Sequence, residues 1–462
     1  LKRILIANRG EIACRIAHTA RKLGIGTVAV FSEADANSRH VSMCDSAVAI
    51  GPADARKSYL DIGKIIDAAR SSGADAVHPG YGFLAENAEL AQACAFAGLN
   101  FIGPNASVIR LMADKATAKE QASKAGFPLV PGYYGEVQDK DFLKSQALEI
   151  GYPVMIKARN GGGGRGLRVV REESAFEAAL ESCMREALVG FGNDAVMLER
   201  YMEQPRHIEI QILGDQHGNV LHLYERDCSL QRRHQKVIEE SPALGLNQEQ
   251  RQAMGEAAAN LAKTIGYVGV GTIECIVDQG GQFHFLEMNT RLQVEHGVTE
   301  MITGIDLVEW QIRVAQGEKL PMRQDQIITS GHCIEARICA ERPEKGFLPS
   351  TGRITELAWP DHAAFTNADV RIDSGVRQKD EVSPFYDSML SKVLVRADTR
   401  DQAVQNMRRA LSEVRIEGVK TNLEFLSCVF EHPDFVKGAV DTGFIERNLK
   451  QLLEMTRSRT AA

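Results

Sequence analysis

The sequence predicts an α/β protein that opens with a doubly wound parallel sheet. Three observations predict it. Short apolar runs alternate with stretches of helical length through the first hundred residues. A glycine, Gly24, closes the first helical stretch. Past Pro128 and Pro131 this alternation gives way to a small mixed module and then to longer alternating strands.

Element by element, RILIA (residues 3–7) reads as a buried strand, 11–24 as a helix and TVAVFS (27–32) as a second strand. A helix around 59–73, the strand ADAVH (74–78), a helix over 85–97 and the strand NFIG (100–103) follow. The linker at Pro128 and Pro131 leads into strands at 152–158 and 167–170 around a glycine run, a helix over 173–188 and a strand at 195–200. Strands are then predicted at 207–213, 219–227, 270–278 and 282–289, with a further strand-rich region at 333–395 before terminal helices. No internal repeat or low-complexity tract interrupts the chain.

Hydrophobic residues make up 44% and charged residues 25% of the 462, too much apolar material for wholesale disorder. The length suits roughly two to four packed units. A net charge of −7 gives no global reason to expect a nucleic-acid partner. No run approaches the roughly 20 apolar residues that span a bilayer, so no membrane partner is expected either. Leu1 leads straight into a strand without a signal-peptide layout or an initiating Met, as expected of a trimmed or processed N-terminus. The nine cysteines are scattered with no C-x-x-C pair, and buried reduced thiols in a reducing compartment are expected.

Four stretches carry chemistry. The first is Asn160-Gly161-Gly162-Gly163-Gly164-Arg165-Gly166. An isolated glycine run is more often a flexible turn, but this one joins two strands that bear Lys157 and Arg168. It lacks both a G-K-[ST] ending and a following helix, so a hairpin folding over phosphates fits better than a P-loop. The second is GTIECIVDQGGQFHFLEMN, where Gly280-Gly281 suits a two-residue hairpin turn. That turn would set Gln279 opposite Gln282, Ile276 opposite Phe285 and Glu274 opposite Glu287, with Asn289 two residues along. Like charges directly opposite are unfavourable. Two carboxylates and an amide under the apolar cover of Ile276 and Phe285 point to a hard cation, most simply Mg²⁺ on nucleotide phosphates. The alternative is two solvent-facing glutamates. The third, Gln231 to Lys236, mixes donors after a strand and is either an anion site or a solvated loop. In the fourth, strand alternation would place Arg291, Gln293 and Glu295 on one face, able to handle a small anion and its proton. An exposed strand with an incidental ion pair is the plainer reading.

The ordered strings IANRGEIA, HPGYGFLAEN, KARNGGGGRG, ERDCSLQRRHQKVIEE, FLEMNTRLQVEH and FYDSMLSK resemble the biotin carboxylase component of biotin-dependent carboxylases, from about Arg3 to Phe444. The resemblance implies an ATP-grasp fold: an N-terminal α/β domain over 1–113, a linker and mobile glycine-rich lid over 114–203, a larger α+β C-terminal domain over 204–446 and a tail over 447–462. It implies that Lys115, Lys157 and His207 lie near nucleotide phosphates, with Gly163 and Gly164 in the lid above them. Glu199, Arg200, Tyr201 and Met202 would flank adenine, with Gln231 and His234 beside ribose and phosphates. Glu274, Glu287 and Asn289 would ligate Mg²⁺ or Mn²⁺. Lys236, Arg291, Gln293, Val294, Glu295 and Arg337 would surround bicarbonate and biotin, Glu295 as general base and Arg337 holding carboxyphosphate or biotin.

The implied reaction carboxylates carrier-bound biotin from ATP and bicarbonate. The implied partners are a biotin carboxyl carrier domain or protein and a carboxyltransferase component, with assembly as a homo-oligomer. A cytoplasmic location is expected, or the mitochondrial matrix after removal of a transit peptide. No Met-Lys-Met occurs, so the carrier is expected elsewhere, and DTGFIERN resembles the end of this domain in methylcrotonyl- or geranyl-type α-subunits. Three positions depart from the usual pattern: Gly297 where proline is common, expected to loosen the loop after Glu295; Arg159-Asn160 before the glycines; and Phe385 where tyrosine is frequent. The RRHQK and RLQVEH strings weigh against other ATP-grasp ligases. Intact Lys236, Arg291 and Glu295 weigh against a non-catalytic nucleotide-binding subunit. IANRGEIA lacks the spaced glycines of a nicotinamide-dependent oxidoreductase.

Overall fold

The computed structural model describes residues 1–160 and 166–461. The N-terminal sheet runs Ser46–Gly51, Gly26–Ser32, Arg3–Ile6, Ala76–His78, Asn100–Phe101, with every pairing parallel. The edge strand Ser46–Gly51 was not among the expected elements; only Ile50 of it is buried. The Gly10–Lys22 helix buries Ile12, Ile16 and Ala20 against this sheet. Several helices begin at a side-chain cap: Asp61, Asn87, Asn105 and Asp114 each accept from the backbone N–H three residues on. The last two caps start the helices Ala106–Ala113 and Lys115–Lys124, which the sequence reading passed over. The Asp114 cap fixes Lys115 at the first turn of its helix.

The module after the linker is a four-stranded antiparallel sheet in the order Gly132–Tyr133, Val196–Arg200, Val154–Ala158, Leu167–Val170. The helices Lys140–Ile150 and Phe176–Phe191 cover it through Leu143, Phe176 and Leu180, packed on Val154, Ile156 and Leu198. Arg168 turns toward its helix and bonds Glu186 at 2.8 Å, whereas Lys157 turns toward Glu199.

The largest element is a nine-stranded sheet in the order Phe283–Asn289, Gly269–Val277, Arg206–Gly214, Val220–Arg232, Gln235–Ser241, His332–Cys339, Met389–Ala397, Val370–Ser374, Ala363–Ala364. Near its first edge, one face packs Ile208, Ile210, Ile273 and Cys275 against the Gln248–Thr264 helix. The other face carries charge in register. Glu287 pairs across from Glu274, Glu274 from Glu209, and Glu209 from Arg226. Farther along, Glu239 pairs with Glu335, and Lys392 stands between Arg337 and Asp373. All nine cysteines are unpaired, and seven of them are buried.

Residues 447–461 of the stretch set apart as a tail lie in a helix, Phe444–Ala461, one of the terminal helices the sequence predicts, and its apolar residues recur on one side. Phe444, Ile445 and Leu452 enter the C-terminal core with Phe425 and Leu426. Leu452→Ala should therefore destabilise the protein by about 2–5 kcal/mol. Chemical denaturation with an unchanged m-value checks this; wild-type stability would mean that the helix is dispensable.

Candidate active site

Glu274 and Glu287 face one another as the hairpin reading expects, but by a different route. The loop has three residues, Gln279 to Gly281, closed by the Asp278 N–H on the Gln282 carbonyl at 3.0 Å, with Gly281 at φ +80°. Pairing therefore begins with Val277 opposite Phe283 and Ile276 opposite His284, one residue out of the expected register. A bulge before Glu287 restores it. The expected Gln279–Gln282 and Ile276–Phe285 pairs do not form. Phe285 lies opposite Cys275 and packs in the apolar core, so it does not cover the carboxylates.

Cover comes from cations. Lys236 reaches the site from the Gln235–Ser241 strand, just after a hairpin turn whose Arg233 and His234 adopt positive φ. Its ammonium touches three carboxylates: Glu209, Glu274 Oε1 at 2.9 Å and Glu295 Oε1 at 2.7 Å. The wholly buried Arg226 grips Glu209 from the other side at 3.0 Å and also donates to Gln211, Thr272 and Thr299. His207 Nε2 lies 2.9 Å from Glu274 Oε2, and the Gln231 amide meets His207 Nδ1 at 3.1 Å. Arg337 Nη2 lies 2.9 Å from Glu295 Oε2 and 2.5 Å from Glu239 Oε1.

Residues 290–295 form a loop between the Phe283–Asn289 strand and the His296–Thr303 helix, not the strand that alternation suggested. Its side chains still converge. Arg291 donates to Gln293 at 2.7 Å, Asn289 at 3.0 Å and Glu86 at 2.9 Å. Asn289 and Gln293 donate in turn to Glu274 Oε1 at 2.8 and 3.0 Å. Lys392 donates to the Val294 carbonyl at 2.6 Å and pins the loop from beneath. Gly297 follows this loop, in the first turn of the His296–Thr303 helix. It is buried inside the helix, where an added Cβ would stand 2.4 Å from Leu394 Cδ2 and 3.1 Å from Glu335 Oε2.

Burial alone would raise the proton affinity of Glu295, but Lys236, Arg337 and Arg226 outweigh it and hold the carboxyl well below its ordinary range. Glu274 is held down in the same way by Lys236 and His207. Burial would strip the Lys236 proton, yet Glu209, Glu274 and Glu295 together keep that ammonium charged.

A cavity of about 670 Å³ opens over this cluster. It collects His207, His234, Lys236, Glu274, Glu287, Asn289, Arg291, Gln293, Val294, Glu295 and Arg337 from the sequence reading. Lys115 sits behind its wall, on Glu287 Oε2 at 2.8 Å, and Gln231 behind His207. Lys157 and Glu199 instead form a buried cluster with Lys119, whose ammonium is 2.7 Å from Glu199. Arg200 is exposed, and Tyr201 and Met202 follow it outside the cavity lining. Gly163 and Gly164 lie outside the described residues. Arg159 pairs with Glu136 at 2.9 Å and Asp114 at 3.3 Å, and Phe385 stands exposed on the cavity rim. Sequence reasoning missed Glu209, Arg226, Lys119, Glu86 and Tyr81. The first had a signal, since His207, Glu209 and Gln211 recur with period two between isoleucines.

The donors of Glu274, Glu287 and Asn289 are all oxygen, which suits Mg²⁺ or Mn²⁺ entering with a nucleotide. In this structure Lys115, Lys236 and His207 supply the positive charge that such an ion would bring.

Three family descriptions match consecutive stretches of the chain. They are the biotin carboxylase N-terminal domain over residues 1–109, the ATP-binding domain of the carbamoyl-phosphate synthase L chain over 114–323, and the biotin carboxylase C-terminal domain over 335–447. The mitochondrial methylcrotonoyl-CoA carboxylase subunit alpha of Dictyostelium discoideum is 52% identical over 454 residues, covering 98% of this chain and 64% of the relative. Chloroplastic biotin carboxylase 1 of Populus trichocarpa is 51% identical over 451 residues, covering 98% and 84%. The chain thus spans less than two thirds of the methylcrotonoyl-CoA carboxylase subunit. Among solved structures, the biotin carboxylase domain of Hydrogenobacter thermophilus 2-oxoglutarate carboxylase, in complex with MgADP, ADP and bicarbonate, superposes with a TM-score of 0.92 at 46% identity over 97% of each chain. A biotin carboxylase–β,γ-ATP complex from Campylobacter jejuni gives 0.93 at 46% identity, covering 96% of this chain and 98% of that one.

Glu199 generates a pH prediction. Burial would raise it, but Lys119 and Lys157 draw it down from 4.5 to about 2. A depressed carboxyl contributes stability above its unfolded pKa and loses it as pH falls through the folded one. About 3 kcal/mol should therefore disappear, most of it between roughly pH 4.5 and pH 2. Denaturant titrations across that window should show the loss in wild type and a flatter dependence in Glu199→Gln; identical curves would contradict it.

Proposed function

This chain belongs to the biotin carboxylase family, and from that premise we propose that it performs the first half-reaction of a biotin-dependent carboxylase. ATP and bicarbonate carboxylate a biotin presented by a carrier domain or protein, and a carboxyltransferase component passes the carboxyl group on. The observation that carries this reading is the Lys236 ammonium, shared between Glu295 at 2.7 Å and the proposed metal ligand Glu274 at 2.9 Å. One cation thus joins a potential base to the nucleotide side of a single cavity.

The arrangement supports a defined sequence of events. Mg²⁺ bound with ATP would neutralise charge on the transferred phosphoryl group. Lys236, Arg291 and Arg337 offer donors to an incoming bicarbonate. As the anion draws Lys236 and Arg337 off Glu295, the cause of that residue's low proton affinity is withdrawn. Burial then makes Glu295 a competent base for the bicarbonate proton. The freed oxygen attacks the γ-phosphorus, giving carboxyphosphate and ADP. Carboxyphosphate breaks down to CO₂ and phosphate, the phosphate takes the ureido proton of biotin, and Arg291 stabilises the resulting enolate-like ring. The enclosed position of the cluster supports exclusion of water while carboxyphosphate exists.

The similarity to methylcrotonoyl-CoA carboxylase alpha subunits favours a branched acyl-CoA as the final acceptor and a mitochondrial location for a eukaryotic chain. Homo-oligomeric assembly is part of the same proposal. No helix among the described residues is long and apolar enough to cross a membrane.

Phosphate release from MgATP should require bicarbonate and rise on addition of free biotin. Glu295→Gln should lower it by about a hundredfold or more, with little change in the KM for ATP. Steady-state assays of the two proteins check this. Biotin-independent hydrolysis, or full activity in the variant, would contradict the assignment.

A further inference from the structure

Behind Arg337 the sheet carries two carboxylates that the reaction above leaves unused. Glu239 and Glu335 are cross-strand partners on adjacent antiparallel strands, and both are wholly buried. Among the described residues, no hydrogen bond of good geometry reaches either carboxylate. Two such groups side by side cannot both ionise at low cost, so one must carry a proton.

Geometry decides which. Glu239 Oε1 lies 2.5 Å from Arg337 Nη2. Among the described residues, the recorded ion pair of Glu335 is to Lys392, at 3.9 Å. That ammonium is already committed: it donates to the Val294 carbonyl and is shared with Glu11 at 3.5 Å and Asp373 at 3.9 Å. The charged and titratable groups facing Glu239 are Arg337 and Glu335 from one neighbouring strand, Cys228 from the other, Lys236 from its own strand, and Glu295 from the loop. Arg337 alone of these makes a close ion pair with it. The charge therefore belongs on Glu239 and the proton on Glu335.

We propose that Glu239 is a positioning residue for Arg337, kept ionised by the protonated state of its neighbour Glu335. The Arg337 Nη2 is then shared between Glu295, which lines the cavity, and Glu239, which lies behind it. When bicarbonate or biotin takes the cavity-facing N–H groups, Glu239 remains as the anchor and the guanidinium cannot follow the ligand outward. The electrostatics agree. Burial, then Glu295, push Glu239 up to about 7 against the pull of Arg337, and burial with Glu239 pushes Glu335 well above its ordinary range.

The inference rests on the carboxylation role proposed for Arg337, and its test separates the two. Biotin-stimulated phosphate release by the full chain is measured against pH for wild type, Glu239→Gln and Glu335→Gln. Glu239→Gln should lower kcat by about tenfold or more, while the KM for ATP stays within about twofold. The rise of wild-type kcat through about pH 7, as Glu239 ionises, should be absent from that variant. Glu335→Gln, a neutral isostere of the protonated acid, should stay within about threefold of wild type. An unaltered kcat and pH profile in Glu239→Gln overturns the proposal. So does a Glu335→Gln protein that loses as much activity while melting at the wild-type temperature. Infrared difference spectra decide the matter should Glu239→Gln fail to fold: a protonated-carboxyl C=O stretch present in wild type at about pH 9, where Glu239 is ionised, and lost in Glu335→Gln supports the assignment, and its absence overturns it. A wild-type chain without biotin-stimulated turnover would instead overturn the functional reading, leaving the infrared result to decide this one.

Discussion

Glu287, Glu274 and Glu209 stand side by side in register on three adjacent strands, where like charges repel and burial makes the repulsion worse. The sheet tolerates them because four cations are aimed at that row. Lys115 comes from a capped helix, His207 from the same strand as Glu209, Arg226 from the strand beside it, and Lys236 from the strand beyond. Lys236 is central, since its one ammonium serves two carboxylates of the row and Glu295 as well. Such a row is a poor source of stability compared with apolar packing of the same volume. The proposed function accounts for its presence on an otherwise well-packed sheet, as preorganised charge for an anionic substrate and its cation.

The same constraint explains why the site draws on both the N-terminal and the C-terminal units. Glu86, from the N-terminal sheet unit, accepts from both Arg291 and the Thr290 backbone. Glu11, on the first helix, faces Lys392 and accepts from Tyr81, which lines the cavity. Deeper still, Arg15 and Arg371 close on Glu300 from opposite ends of the sequence, 2.8 and 2.7 Å away. Glu300 sits on the helix that begins beside Glu295, so this buried network fixes the direction in which Glu295 enters the cavity. Charge pairing sets the positions here, and the apolar clusters on the far side of each sheet supply the bulk of the burial.

How much of this could be read from the sequence depended on the distance along the chain between the groups that meet. Glu274 and Glu287 share one hairpin, so local reasoning paired them correctly even though the loop is a residue longer than expected and a bulge compensates. Glu209 and Glu274, or Glu239 and Glu335, belong to strands far apart in sequence, and no local pattern states that those strands are neighbours. Alternation misled at Arg291 to Glu295, because polar residues at every second position occur in loops as well as in strands. Lys119 was hidden in an alanine-rich polar helix whose periodicity says little about what its ammonium meets. The family resemblance supplied His207 and Arg337, whose partners emerge only from the folded sheet.

In the proposed function this cluster activates bicarbonate to attack the γ-phosphorus of ATP. Isotope transfer tests that step directly. The chain would be incubated with MgATP, biotin and bicarbonate labelled with oxygen-18, and the released phosphate analysed by mass. Phosphate that has gained one bicarbonate oxygen is the predicted result, since the P–O bond formed by the attack stays intact when CO₂ leaves. Phosphate carrying a solvent oxygen in place of the label would mean that water is the nucleophile, and the account of Glu295 and Lys236 would be wrong.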